Sequence, residues 1–235
     1  MNYSIESIKS NFHRAGDMIA EALNAVHHSP RVVRIMAVTK THPVELVQLS
    51  IEAGIRIIGE NRVSEGGRKI KTLGKEVAEF HMIGPIHTGE VRQAVRDFHW
   101  IDSICRMKIA EEIAKRTTAI NKKQPGILVE VNTSGEESKH GLAPEYSVLE
   151  EALGQMRELG LVISGLLTIG PLGGTEEETR KAFASLRNLR DDLSRKCGFE
   201  LPELSMGMSD DFQLAVMEGS TIVRLGRFLF GRRQN

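Results

Sequence analysis

The chain has 235 residues, and its 31 Lys+Arg balance 31 Asp+Glu to a formal charge of zero. That length suits one or two domains and leaves room for a single α/β barrel of about 200–250 residues. Neutrality argues against a bulk electrostatic nucleic-acid binder, which carries a basic excess, and no apolar run approaches the roughly 18 residues of a membrane helix.

Ile5, Ile8, Phe12, Ile19, Leu23 and Val26 recur at three- and four-residue steps or their sums, which predicts an opening helix. After His27-His28-Ser29-Pro30 the period changes, and Arg34 to Lys40 reads as a buried strand. Thr41-His42-Pro43 breaks it. Pro43 suits the first position of a helix, and Gly54 stops that helix. The unit then repeats. Strands are expected at Ile55–Gly59, Glu79–Ile83, His99–Asp102, Gly126–Asn132, Leu161–Ile169, Glu203–Met206 and Thr221–Leu225. Helices are expected over Arg62–Leu73, Met107–Ile120 and Tyr146–Leu159, then from the Thr175/Glu178 capping box to Gly198, and from Ser209 to about Gly219. Eight strands alternating with helices predict a parallel sheet. Eight units in about 200 residues fit a single (β/α)8 TIM barrel with an N-terminal helix. A doubly wound open sheet has the same periodicity and stays open as an alternative. No linker or low-complexity tract divides residues 1–235, so one domain is expected.

Cys105 and Cys197 form no CxxC and lie beside no His pair with zinc spacing, so they read as reduced thiols of a cytoplasmic protein. Glu6, Lys9, Arg14, Asp17 and Glu21 rule out a secretory signal at the N-terminus. No metal cluster, GxGxxG, Walker loop or nucleophile elbow is present.

Barrel chemistry sits at the C-terminal ends of strands. Lys40 ends the first strand at the rim of an apolar core, where burial depresses a lysine's pKa and frees an amine for Schiff-base chemistry; the alternative is a lysine that snorkels to solvent. Ser209, read as starting a helix, and Gly226, after the eighth strand, suggest anion binding, or else a plain cap and a turn glycine. Asp210 and Asp211 would repel a phosphate there unless they point away. Arg224 lies within the eighth strand. It faces inward and needs partners, or faces the helices and meets a carboxylate. Asn61 and Asn132 are ligand contacts or loop caps. His81 reads more readily as a satisfied interior histidine than as a catalyst, and His27, His28 and His42 as exposed.

Six segments recur in order: Ala37-Val38-Thr39-Lys40, Gly59-Glu60-Asn61-Arg62-Val63, His81-Met82-Ile83-Gly84, Val131 to Lys139, Ser205 to Asp211, and Val223-Arg224-Leu225-Gly226. Together they resemble the YggS/PROSC family of pyridoxal-phosphate-binding homeostasis proteins, over about residues 4–232. The resemblance implies a fold-type III pyridoxal phosphate (PLP) barrel, similar to the N-terminal domain of alanine racemases. It implies that Lys40 forms the aldimine, that Ser209 and the backbone at Gly226 and Arg227 hold the phosphate, that Arg224 approaches the pyridine nitrogen, and that Asn61, His81 and Met206 line the pocket. Two departures stand out. His87-Thr88-Gly89-Glu90 replaces a frequent Gln-x-Asn-Lys, and Arg227 replaces a frequent Thr or Ser.

An arginine at the pyridine nitrogen disfavours its protonation and weakens the ring as an electron sink. A racemase also needs a second acid/base group. In racemases of this fold that group is a tyrosine from a second domain, and Tyr3 and Tyr146 are poorly placed for the role. The expected function is therefore a non-catalytic PLP carrier in vitamin B6 homeostasis, with no catalytic residue, apo PLP-dependent enzymes as partners, and a monomeric state. The alternatives are a PLP-dependent amino-acid racemase and a PLP-free barrel enzyme. Lys139, in the loop after the fifth strand, is a solvated loop lysine or a transient second attachment point during PLP release.

Overall fold

The computed structural model describes residues 4–26, 32–119 and 124–231. Tyr3, His27 and His28 lie outside the described residues. Eight parallel strands close into a barrel in chain order. They are β1 (Arg34–Val38), β2 (Ile57–Glu60), β3 (Glu79–Met82), β4 (Trp100–Ile104), β5 (Gly126–Glu130), β6 (Ile163–Leu167), β7 (Glu203–Met208) and β8 (Ile222–Leu225). The open-sheet alternative is excluded by the pairing of β8 with β1, which sets Met36 beside Arg224 and Ala37 beside Leu225.

Helix α1 (Ile5–Asn24) precedes the barrel. Ser4 caps it by accepting the Ser7 N–H at 3.1 Å, and Ile8, Ala15, Ile19 and Ala22 form its buried stripe. The outer layer is α2 (Val44–Glu52), α3 (Val63–Leu73), α4 (Val91–Asp97), α5 (Met107–Ala119), α6 (Tyr146–Glu158), α7 (Glu176–Cys197), α8 (Phe212–Met217) and α9 (Arg227–Phe230). Alternation along each strand makes two cores. Ala37, Ile58, Phe80, Met82, Ile101, Leu204, Val223 and Leu225 join the large cluster under the helices. Met36, Ile57 and Ile222 pack inside the barrel against Ile83.

Three expectations are corrected. Helix α4 was not foreseen, although Val91, Ala94 and Val95 form its buried face. Strand β7 runs on to Met208, with a register shift against β8 between Ser205 and Met208. The kink falls at Gly207, whose φ of 93° suits glycine and whose added Cβ would lie 2.5 Å from Ala215 Cβ. Ser209 is therefore not the cap of α8; Asp211 occupies that position. After β5 the chain makes an excursion that returns to its own base. The Asn132 N–H donates to the Leu142 carbonyl, the Leu142 N–H to the Glu130 carbonyl, and Val131 bridges Leu142.

Candidate functional site

Lys40 sits just past β1 in a tight turn. The His42 N–H donates to the Thr39 carbonyl at 3.1 Å, and Thr41 has a φ of 65°. That is a type II turn, with Lys40 at its second position and a β-branched residue where glycine or asparagine is usual. The turn rests on a buried network. Lys69 Nζ, from α3, donates to the Thr39 carbonyl at 2.8 Å, Glu60 Oε1 at 2.7 Å and Glu65 Oε1 at 2.8 Å. Burial pushes the Glu60 carboxyl above its usual range despite Lys69. For Glu65, burial pulls the other way, but the Lys69 ammonium wins and holds it low.

Arg224 points into the barrel, on the same face of β8 as Ile222. It is 5% exposed. Its Nη1 donates to the Ser205 carbonyl and hydroxyl at 2.8 and 2.7 Å, and its Nη2 to the Thr168 carbonyl at 2.8 Å. Those bonds use three of five guanidinium N–H donors. Burial lowers its pKa, against the attraction of Asp102, Asp211 and Glu130.

β8 adjoins β1, so Gly226 sits against the Lys40 turn; a Cβ there would lie 3.4 Å from the Val38 carbonyl oxygen. Gly226 is the N-cap of α9. Ser209 belongs to this end: its hydroxyl accepts the Phe228 N–H at 3.1 Å. The two aspartates are engaged. Asp210 pairs with Arg227, and Asp211 accepts the Met208 N–H at 2.5 Å.

Asn61, half-buried past β2, packs against Gly84 past β3. A Cβ on Gly84 would come within 2.3 Å of the Asn61 backbone oxygen. Met206 is fully buried and joins the outer core, so its side chain turns toward the helices, whereas Ser205 turns inward. His81 is buried inside the barrel, stacked on Trp100 with ring centroids 5.1 Å apart. Its Nδ1 lies 2.8 Å from Asp102 Oδ2 and its Nε2 2.9 Å from Glu79 Oε1. Carboxylates on both nitrogens favour the doubly protonated ring, because both then donate. Burial lowers the His81 pKa, but Asp102 and Glu79 more than reverse this and leave it raised. A raised histidine contributes stability in full below its unfolded value of about 6.5 and loses it as pH rises through the folded value. Thermal melts across this range should show that alkaline loss in the wild type. Asp102→Asn should flatten it; an unchanged alkaline limb would show that the His81–Asp102 pair is not its source.

His42 is not exposed as expected; it is half-buried, with its ring centroid 5.5 Å from that of Phe230. Lys139 is not a solvated loop lysine. Its Nζ donates to the Gly170 carbonyl at 2.7 Å and pairs with Glu136 at 2.9 Å, tying the loop after β5 to the loop after β6. The departing tetrapeptide closes on itself: the His87 N–H donates to Glu90 Oε2 at 3.0 Å, a capping box that opens the short 3-10 turn Thr88–Glu90 ahead of α4. Cavities of about 450 and 530 Å³ lie elsewhere, one beside Arg34, Arg190 and Glu203, the other beside Lys108 and Glu112. Both are open to solvent and border none of the strand-end groups above. Among the described residues no group of His, Cys, Asp and Glu could hold a metal ion, and no helix is long and apolar enough to cross a membrane.

The chain matches no family profile. It is 38% identical over 222 residues to a pyridoxal phosphate homeostasis protein of Aquifex aeolicus, covering 94% of this chain and 96% of that one. It belongs to the pyridoxal phosphate homeostasis protein family. A solved structure of similar fold is that of PipY of Synechococcus elongatus with PLP bound, at 34% identity and a TM-score of 0.78, covering 91% of this chain and all of that one. An alanine racemase of Clostridium difficile, 17% identical, shares the barrel at a TM-score of 0.73, covering 98% of this chain and 58% of that one. The fold is thus the fold-type III barrel that the family resemblance implied.

For this member of the pyridoxal phosphate homeostasis family, sequence reasoning overlooked Lys69, Glu65 and Asp102. Glu65 and Lys69 were legible as an i, i+4 pair. What marks them, the burial of Lys69 on the inner face of α3, is visible only once the helix is oriented.

Proposed function

We propose that this chain holds pyridoxal phosphate at the C-terminal mouth of its barrel, bonded covalently to Lys40, and serves intracellular vitamin B6 homeostasis without turning over a substrate. The observation that carries this reading is the juxtaposition of β1 and β8. It brings an amine, a buried guanidinium and a cluster of phosphate-type donors to one end of two neighbouring strands. That donor set matches the cofactor's three polar ends. Lys40 would bond to the aldehyde carbon, with the aldehyde oxygen leaving as water. Ser209, the backbone at Gly226 and Arg227, and the guanidinium of Arg227 would hold the phosphate; Arg227 would exchange Asp210 for it. Arg224 has two N–H groups left for the pyridine nitrogen.

When bound, PLP supplies an electrophilic aldehyde and, in enzymes, a sink for a carbanion. Arg224 works against the second property, since a fixed cation disfavours protonation of that nitrogen. The Tyr146 hydroxyl lies 2.9 Å from Cys197 Sγ and 3.3 Å from Glu150, which places it on the α6–α7 surface. The naming of relatives as homeostasis proteins and the PLP bound to PipY support the same reading. In this reading the chain acts as a monomer in the cytoplasm, Asn61 lines the pocket, His81 and Met206 support it from inside and outside the barrel wall, and apo PLP-dependent enzymes are the recipients.

The test is visible absorbance of the purified protein with added PLP, before and after borohydride. Wild type should show a yellow band that reduction traps on Lys40, and Lys40→Ala should show none. No band, or a label mapped elsewhere, would overturn the reading. Racemisation of an amino acid by pure protein, lost in Lys40→Ala, would overturn its non-catalytic half.

A further inference from the structure

We propose that Lys69 is a positioning residue for Lys40: one buried ammonium fixes the backbone on both sides of the reactive amine. The inference deepens the reading above and rests on it for the role of Lys40. Its geometric basis does not. Lys69 spends all three of its N–H donors on three different elements: the Thr39 carbonyl past β1, Glu60 at the end of β2, and Glu65 on α3 itself. Each carboxylate then reaches back to the turn. Glu60 Oε1 accepts the Thr39 hydroxyl, and Glu65 Oε1 accepts the Thr41 N–H at 2.6 Å. Residues 39 and 41 are thereby held through a carbonyl, a hydroxyl and an amide.

The turn needs this support. Thr41, at a φ of 65°, is a β-branched residue in the left-handed region, a conformation that persists only where the surroundings over-determine it. The network does so from beneath. Its centre is dry: the Lys69 side chain is 7% exposed and that of Glu60 not at all, and Glu60 Oε2 is buried without a hydrogen-bond partner. Without Lys69, that carboxylate would lose the ammonium that donates to it, and the turn would lose its common anchor. A fixed Cα direction at Lys40 reduces the orientations its amine must lose on bonding to an aldehyde. Lys69 touches neither reactant in this scheme; it acts through the turn.

The experiment compares wild type, Lys69→Met, Lys69→Arg, Thr41→Gly and Leu186→Ala. Leu186 is fully buried in α7, so the last variant loosens the fold without touching the turn. Three quantities are read: hydrogen exchange of the Thr41 amide in PLP-free protein, the rate at which an amine-acylating reagent labels Lys40 in PLP-free protein, and PLP affinity from visible absorbance. Lys69→Met should lose the Thr41 protection, change the Lys40 labelling rate, and weaken PLP binding about tenfold. Leu186→Ala, at a comparable loss of melting temperature, should do none of these. Lys69→Arg should recover part of the affinity. Thr41→Gly keeps the N–H and removes the strain, so the network stays intact and all three readouts should stay near wild-type values.

Equal effects of Lys69→Met and Leu186→Ala, or retained Thr41 protection in Lys69→Met, would overturn the proposal. If Lys69→Met does not fold, Lys69→Arg decides: wild-type values in all three readouts would overturn it. If wild type takes up no PLP, the cofactor reading fails, and the exchange and labelling data still score the positioning of Lys40.

Discussion

Replacing Arg224 by leucine should lower the stability of the barrel by about 3–5 kcal/mol, the range for removing one partner from a buried charged arrangement. At this chain length that corresponds to roughly 10 °C in melting temperature. The magnitude follows from what would be left behind. The Ser205 carbonyl and hydroxyl and the Thr168 carbonyl would each lose a donor inside the barrel, and an unmade buried hydrogen bond costs more than a made one contributes. Asp102, Asp211 and Glu130 would lose the buried guanidinium that attracts them. Arg224→Lys should recover only part of the loss, since one ammonium cannot reproduce a fork that spans β7 and the end of β6. Thermal unfolding checks both; an Arg224→Leu protein as stable as wild type would mean that the cost of burying the arginine cancels what its bonds contribute.

Gly84→Ala should destabilise the protein by about 1–3 kcal/mol, as overpacking does, and should weaken ligand binding at the mouth. The new methyl would lie 2.3 Å from the Asn61 backbone oxygen and 2.8 Å from its Cγ. A backbone oxygen has no rotamer to escape into, so the chain past β2 must shift and take Asn61 with it. Gly89→Ala, five residues further along, is the control. Its Cβ would meet nothing within 4 Å, so a change near zero is expected in both melting temperature and PLP absorbance. Equal behaviour of the two variants would show that the β2 and β3 ends yield easily.

The barrel was legible because its strands are short apolar runs of even spacing, and a strand buried on both faces needs no alternation to be seen. Two details were not. Helix α4 has only seven residues, too few for a helical period to stand out from the Gly84-Pro85 turn before it. Ser209 and Asp211 are both sound helix caps by type, and only the extension of β7 to Met208 decides between them. Among the candidate site residues, Lys40, Gly226 and Arg224 were marked by position at strand ends, a rule that holds for any barrel. The partners of Arg224 could not be foreseen, because they are two backbone carbonyls and a serine on other strands. The pocket roles of His81 and Met206 came from the resemblance alone. Their side chains point into and out of the barrel wall, a distinction set by the register of β3 and β7 rather than by residue type. Lys69 stayed hidden for a related reason: a lysine on a polar helix reads as solvated until the helix is rotated onto its sheet.

The excursion between Asn132 and Leu142 is closed at its base by the chain's own hydrogen bonds before α6 begins. Such a segment behaves as a cassette. What happens inside it, in length or composition, is insulated from the register of the barrel, because the strand has already been terminated and the return anchored. Inheritance or an engineer could therefore rework this part of the rim while the wall beneath stayed fixed, as long as the tie from Lys139 to the loop after β6 is kept or replaced.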